Sequence, residues 1–175
     1  HDQSSAASDV YKRQAEGSYT IISRDIGTTN GWASEKWGLS YPVDQPVSET
    51  LAIDFDALIV PGGANQIETL SNDLHVRRIL RAFLRENEPV ALAGVSSILL
   101  TTIDAAKGRK VAASDADSAL LIAAGAEIID KPTVRDNNLI SATSGESGIS
   151  DLLEMLAQAI KAVSYTHLTL PTTDR

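Results

Sequence analysis

One stretch of the chain decides its fold: Pro89-Val90-Ala91-Leu92-Ala93-Gly94-Val95-Ser96-Ser97. The apolar residues from Val90 to Ala93 predict a buried β-strand, and Gly94 predicts a sharp break directly after that strand. Ser96 or Ser97 is placed to cap the amino end of a following helix. A buried strand that turns at a glycine into a helix is typical of α/β proteins.

Strand and helix signals alternate on both sides of this stretch. Short apolar runs predict strands at residues 19–23, 56–63, 110–112, 127–129, 133–134 and 139–142. Residues 27–38 are rich in turn formers, and residues 39–46 are predicted to be extended between prolines. This order predicts an open, doubly wound, mostly parallel sheet with helices on both faces. In such sheets ligands bind beyond the carboxyl ends of the strands.

Three helices follow from periodicity and capping signals. The first begins at Leu74, where Ser71 or Asp73 can cap it, and it has one apolar face. The second covers residues 117–124 and is stopped by Gly125. The third covers about residues 150–161, with these residues predicted to face inward: Leu152, Leu153, Leu156, Ala159 and Ile160.

The two ends of the chain resemble translated sequencing-adapter DNA, read in opposite directions. Residues 4–14 fit one strand of a transposase adapter, and residues 163–172 fit the other strand. We therefore expect three segments: an adapter-derived tail at 1–14, one domain at 15–162, and a second adapter-derived tail at 163–175.

Charge and composition exclude several classes of function. The chain of 175 residues has a formal net charge of −8 and no basic stripe, which argues against nucleic acid as a partner. No apolar run is long enough to span a membrane, so a cytoplasmic domain is the expectation. The chain has no cysteine, which excludes disulfide bonds and thiolate metal sites.

Five motifs in order resemble the ThiJ/PfpI family of the class I glutamine amidotransferase-like superfamily. They are Asp54-Phe55-Asp56-Ala57-Leu58-Ile59-Val60-Pro61-Gly62-Gly63, Pro89-Val90-Ala91, Lys107-Gly108-Arg109-Lys110-Val111, Ala123-Ala124-Gly125-Ala126-Glu127 and Asp136-Asn137-Asn138-Leu139-Ile140-Ser141-Ala142. The resemblance implies a flavodoxin-like fold that is truncated at its amino end and lacks its first strand and helix. It also implies the dimerisation usual in the family, so a homodimer is an expectation.

The resemblance places Gly94 where the family carries its nucleophilic cysteine. Val95 then takes the place of the histidine that usually follows, and Ser114 and Asp115 occupy the other segment from which members draw a histidine. Nucleophilic catalysis needs an activatable atom with a base within hydrogen-bond reach. Gly94 has no side chain, so the position lacks that atom.

The backbone of this turn has a second implied role. In the family, amides of the Val-Pro-Gly-Gly loop and of the residue after the cysteine bind an oxyanion, which here implies the amides of Gly63 and Val95. The predicted ligand-binding set is Gly62, Gly63, Asn65, Gly94, Val95 and Ser96. A tight strand-to-helix turn without a ligand is the alternative interpretation.

Three functions are consistent with these residues. The first is a non-catalytic family member that binds a small carbonyl or carboxylate ligand, or a protein partner. The second is an active hydrolase or lyase, amidotransferase-like or deglycase-like, that uses another residue such as Ser96; its Gly-x-Ser-x-Gly pattern fails at Ile98. The third is the sensor domain of a transcription regulator. No cofactor or metal is expected, and His75, Asp115 and Asp117 are interpreted as solvated or helix-capping residues.

Overall fold

The computed structural model describes residues 18–24, 27–33, 36–143 and 146–169. The predicted tail at 1–14 lies outside these ranges. The final helix includes residues 163–169 of the second predicted tail, so it is longer than the sequence indicated. The adapter origin of both tails stays a prediction.

Four strands form the central sheet. They are β5 (Leu58–Val60), β6 (Val90–Ala93), β9 (Thr133–Asp136) and β10 (Leu139–Ala142), in the spatial order β5-β6-β10-β9. β6 is parallel to both of its neighbours, whereas β9 and β10 form an antiparallel hairpin at Asn137 and Asn138. The prediction of a mostly parallel sheet is confirmed for these strands.

The central strand β6 carries apolar side chains on both of its faces, and both faces of the sheet are covered. Val90 and Leu92 belong to one buried cluster, and Ala91 and Ala93 belong to another. All four residues of β6 are buried. This is the pattern expected of a parallel strand between two layers of helices.

Helices from the middle of the chain pack on the first face. They are α1 (Ala64–Asn72), α2 (Leu74–Arg85), α3 (Leu99–Thr102) and α4 (Asp115–Ala123), and a 3-10 turn at Gly94–Ile98 precedes α3. The long helix α5 (Glu146–Thr169) covers the second face through Leu152, Leu153, Leu156 and Ala159. These four inward positions confirm the predicted apolar face of the last helix.

Three two-stranded pieces lie outside the central sheet. β1 (Ile22–Ser23) pairs in parallel with β4 (Gln45–Pro46), and β7 (Lys110–Val111) pairs in parallel with β8 (Glu127–Ile128). β2 (Thr28–Ala33) and β3 (Lys36–Pro42) form an antiparallel hairpin with a register shift between Asn30 and Trp32. The predicted turn-rich stretch is therefore largely a β-ladder, because the backbone pairing overrides the weak local turn signals.

Two of the family-like motifs meet at the amino ends of the strands. The Arg109 guanidinium donates to the Asp136 carboxylate at 3.1 Å, to the Asp136 carbonyl at 2.9 Å and to the Asn138 amide oxygen at 3.3 Å. Asn138 in turn donates to the carbonyl of Glu88 at 2.9 Å. These bonds hold β7, the β9–β10 hairpin and the start of β6 together.

Asp73 caps helix α2; the sequence left Ser71 and Asp73 as alternatives, and the structure selects Asp73. Its carboxylate accepts hydrogen bonds from the amides of His75 at 2.8 Å and Val76 at 3.2 Å, and from Arg24 at 2.9 Å. Burial raises the pKa of the Asp73 carboxyl, but the bonds from Val76, His75 and Arg24 outweigh burial and hold the pKa below its ordinary value. The ionised form of Asp73 therefore stabilises the fold.

Gly62 brings the loop after β5 against the end of β6. A methyl group in place of its hydrogen would lie 2.9 Å from the carbonyl oxygen of Ala93 and 3.6 Å from the α-carbon of Gly94. The next residue, Gly63, has open space at the same position and an extended φ of −178°. Only the first of these two glycines is required by packing.

Asp73→Asn is expected to make stability less dependent on pH in acid. A carboxyl with a lowered folded-state pKa stabilises the protein above its unfolded pKa of about 3.9 and loses that contribution as pH falls through the folded value. Asparagine also caps helices but does not titrate. The free energies of unfolding of the two proteins in urea should converge as pH falls below about 4. A constant difference from neutral pH into acid would contradict the assignment.

Gly62→Ala is expected to lower the free energy of unfolding by about 1–3 kcal/mol, because the methyl group meets a backbone carbonyl that is fixed in the sheet. Gly63→Ala is the matched control. It should change stability by less than about 1 kcal/mol, and in the stabilising direction, because its site is open and extended. Urea denaturation of both variants checks this, and equal midpoints for the two would contradict the proposed close approach.

Candidate functional site

The candidate site lies at the carboxyl ends of three neighbouring strands. Val60 pairs in register with Leu92, and Ala93 pairs with Ala142. The Pro61–Gly63 loop, the Gly94 turn and Thr143 therefore follow directly from adjacent strand ends. The fold brings Gly62 and Gly94 together, as the contact between Gly62 and the Ala93–Gly94 backbone shows.

Gly94 itself has a left-handed backbone conformation, with φ of +56°. β-carbon-bearing residues adopt this conformation at a cost, whereas glycine adopts it freely. The turn therefore places residue 94 alone at the end of β6. Because this residue is glycine, it provides no functional group there.

The two serines after the turn are engaged with the backbone. The Ser96 hydroxyl is fully buried and lies 2.8 Å from the carbonyl oxygen of Ala93 and 3.0 Å from that of Val60. The Ser97 hydroxyl donates to the carbonyl of Gly94 at 3.2 Å. The prediction that one of them caps the helix is wrong: both hydroxyls donate back to carbonyl groups rather than accept from helix amides.

The two residues whose amides are the predicted donors lie at the starts of two helical segments. Val95 lies in the first turn of the 3-10 segment, and Gly63 is the residue before α1. Amides at the start of a helix have no acceptor within the helix and are available to other acceptors. Asn65 lies in the first turn of α1, and its side chain is outside the described residues.

The residues considered as sources of a general base do not supply one at the turn. His75 is exposed in the first turn of α2, and its amide donates to Asp73. Ser114 precedes α4, and its hydroxyl donates to the carboxylate of Asp117 at 2.9 Å. Asp115 is exposed at the first position of α4. Asp117, interpreted from the sequence as solvated or helix-capping, is partly buried, and its carboxylate accepts from the Ser114 hydroxyl.

A cleft of about 460 Å³ opens beside Thr143, and none of Gly62, Gly63, Gly94, Val95 and Ser96 lines it. Thr143 lines this cleft and directly follows Ala142, which pairs with Ala93. The remaining lining residues come from the ends of β7 and β8 and from the start of α4: Ala113, Asp115, Ser118, Ile128, Ile129, Asp130, Lys131 and Pro132. Sequence reasoning did not identify Asp130, Lys131 or Thr143, although each follows a strand or strand end, where α/β proteins bind ligands.

Metal and membrane features are absent from the described part of the chain. The described residues contain no group of three or more histidine, aspartate or glutamate side chains that could hold a metal ion. Among the described helices, none combines the length and apolarity that a membrane span requires.

Comparison with known proteins agrees with this geometry. The model of the DJ-1/PfpI family matches residues 5–159, a match that begins within the predicted tail at 1–14. A crystal structure of a ThiJ/PfpI domain protein from Brachyspira murdochii superimposes with a TM-score of 0.82 and 23% sequence identity, covering 93% of this chain and 90% of that one. The flavodoxin-like α/β fold is thereby confirmed.

This chain covers different shares of the lengths of two curated relatives. The deglycase PfpI of Pyrococcus furiosus is 33% identical over 122 residues, which are 70% of this chain and 70% of that protein. DJ-1 protein homolog F of Arabidopsis thaliana is 28% identical over 134 residues, and this chain spans only 33% of its length. The family match covers more than half of the chain, and the chain belongs to the DJ-1/PfpI family.

Proposed function

We propose that this chain is a DJ-1/PfpI-family protein that binds a small carbonyl or carboxylate ligand at the Gly94 turn without forming a covalent bond to it. The observation that carries the proposal is the left-handed φ of +56° at Gly94, which has no side chain. The motif resemblance aligns this residue with the family's nucleophile position. Because this position has no side chain, we do not propose for this chain the deglycase activity that the name of the Pyrococcus relative states.

The neighbouring hydroxyls support the non-catalytic half of the proposal. A serine nucleophile needs a hydroxyl oxygen that the substrate can reach and a base that accepts its proton. The buried Ser96 hydroxyl instead points at two backbone carbonyls, at 2.8 Å and 3.0 Å. A carbonyl oxygen is not a general base, so these contacts fix the hydroxyl as a structural donor.

Backbone amides support the binding half of the proposal. The amides of Gly63 and Val95 belong to two segments that Gly62 holds in contact. Such donors keep their function when a side chain is lost, and amides at helix starts favour anionic or strongly polar oxygen atoms. A carboxylate or a polarised carbonyl has the acceptor chemistry that these donors require.

A serine-directed fluorophosphonate probe is expected to leave the protein unlabelled, because the Ser96 hydroxyl is buried and its partners among the described residues are backbone carbonyls rather than a base. Intact-protein mass spectrometry checks this at neutral pH, with Ser96→Ala as the control. Labelling of the natural sequence that disappears in Ser96→Ala would overturn the non-catalytic assignment in favour of a serine enzyme.

Titration with acetate or glyoxylate is expected to shift the backbone amide resonances of Gly63 and Val95 in a saturable manner. Val95→Pro removes one donor and should weaken binding about tenfold, the effect of one hydrogen bond to a charged group. Proline is tolerated in the first turn of a helix, but it also restricts the backbone of the preceding Gly94, so the amide resonances around the turn must otherwise match those of the natural sequence. Val95→Ala retains the amide and should bind like the natural sequence, and circular dichroism should show that both variants fold.

Two NMR results would contradict ligand binding at the turn. One is the absence of a saturable shift at Gly63 and Val95 with either compound. The other is an equal affinity of Val95→Pro and Val95→Ala, since it would mean that the amide of residue 95 does not contact the ligand.

A further inference from the structure

The cleft beside Thr143 is separate from the Gly94 turn. Its volume of about 460 Å³ lies within the range of small-molecule sites in proteins. It opens where the parallel strands β7 and β8 end and where helix α4 begins. Ligands of α/β proteins bind beyond the carboxyl ends of parallel strands, so the cleft has the location of a second ligand site.

The floor of the cleft is apolar. Ala113, Ile128 and Ile129 line it and are partly buried, and Pro132 adds an exposed apolar wall. An aliphatic group that covers these side chains removes apolar surface from water, which favours binding. The floor therefore fits the apolar body of a small ligand.

Backbone hydrogen bonds fix the walls of the cleft. The Ile129 amide donates to the Val111 carbonyl at 3.0 Å, and the Lys131 amide donates to the Ile129 carbonyl at 2.8 Å. The Thr143 amide donates to the Pro132 carbonyl at 2.9 Å. The connection from β8 to β9 is thus held at both of its ends. A site with fixed walls loses little conformational entropy when a ligand binds.

The rim of the cleft carries charged groups of both signs. Asp115 is the first residue of α4, and Asp130 and Lys131 lie in the connection from β8 to β9. All three are exposed and line the cleft. Among the described residues, none of the three forms a salt bridge. The rim therefore presents one ammonium group and two carboxylates above an apolar floor.

A ligand of this cleft has to satisfy both signs of charge. A simple anion would bring its charge beside two carboxylates, and a simple cation would bring its charge beside Lys131. A zwitterion can place its carboxylate at Lys131 and its ammonium group at Asp115 or Asp130. Hydrogen bonds between ionised partners are stronger than those between neutral groups, so the zwitterion is the favoured class.

We propose that this cleft binds a small zwitterion, namely a free α-amino acid with an apolar side chain. Lys131 binds its carboxylate, Asp115 and Asp130 bind its ammonium group, and its side chain lies on Ile128 and Ile129. The rim determines the charge pattern of the ligand, and the floor determines the preference for an aliphatic side chain. This site does not depend on the ligand-binding function proposed for the Gly94 turn.

An NMR titration with L-leucine tests the site. Leucine should shift the amide resonances of Ile129, Lys131 and Thr143 in a saturable manner. Two further probes, 3-methylbutylamine and 4-methylpentanoate, have a similar aliphatic body but carry only one of the two charges. Each should bind at least about tenfold more weakly, because each loses hydrogen bonds to a charged group. Binding of either probe as tightly as leucine would overturn the assignment of a zwitterion.

Variants of the rim test the roles of its charges. Lys131→Met should weaken leucine binding about tenfold, whereas Lys110→Met is the matched control, since Lys110 is exposed at the start of β7 and outside the cleft. The double variant Asp115→Asn with Asp130→Asn should also weaken binding about tenfold. Asp151→Asn, at an exposed position of α5, should bind like the natural sequence. Because all of these sites are exposed, circular dichroism should show that every variant folds.

Three results would each overturn the proposal: no saturable shift at the residues of the cleft, equal affinities of Lys131→Met and Lys110→Met, or an unchanged affinity in the double variant. Shifts confined to Gly63 and Val95 would place the leucine carboxylate at the turn, which would overturn the cleft site and support the function proposed above. Val95→Pro separates the two sites, because it should weaken binding at the turn and leave the leucine affinity of the cleft unchanged.

Discussion

The structure depends on burial of β6 from both sides. Val90 and Leu92 contact the core beneath the helices of one face, while Ala91 and Ala93 contact the core beneath α5. A strand enclosed in this way has neighbours in parallel register on both edges, and its carboxyl end must leave the sheet abruptly. The Gly94 turn, the Gly62 contact and the start of the 3-10 segment all follow from that requirement.

The same constraint explains why the site keeps its form without a reactive group. The turn is held by Ser96, whose hydroxyl lies between the carbonyls of Ala93 and Val60 and so links the ends of β6 and β5. Its geometry depends on backbone and hydroxyl contacts rather than on the side chain at the tip. The absence of a side chain at Gly94 therefore leaves the surrounding amides in place, which is the basis of the proposed ligand-binding function.

The family-like motifs divide into two groups by location. The Lys-Gly-Arg and Asp-Asn-Asn motifs meet at the amino ends of the strands, where Arg109, Asp136 and Asn138 form a hydrogen-bonded network. The Val-Pro-Gly-Gly motif and the Gly94 turn meet at the carboxyl ends. Only the second group belongs to the candidate site, and the first holds the strands in register.

The sequence by itself determined the parallel core of the sheet, the glycine turn after β6 and the apolar face of α5, and it limited the cap of α2 to Ser71 or Asp73. These features depend on short-range patterns: apolar runs, periodicity and turn residues. Tertiary structure alone decided that residues 28–33 and 36–42 pair as antiparallel strands, that the Ser96 hydroxyl donates back to the carbonyl of Ala93, and that the apolar side of α4 faces solvent. Each of these depends on which distant groups lie nearby, and local sequence does not encode that information.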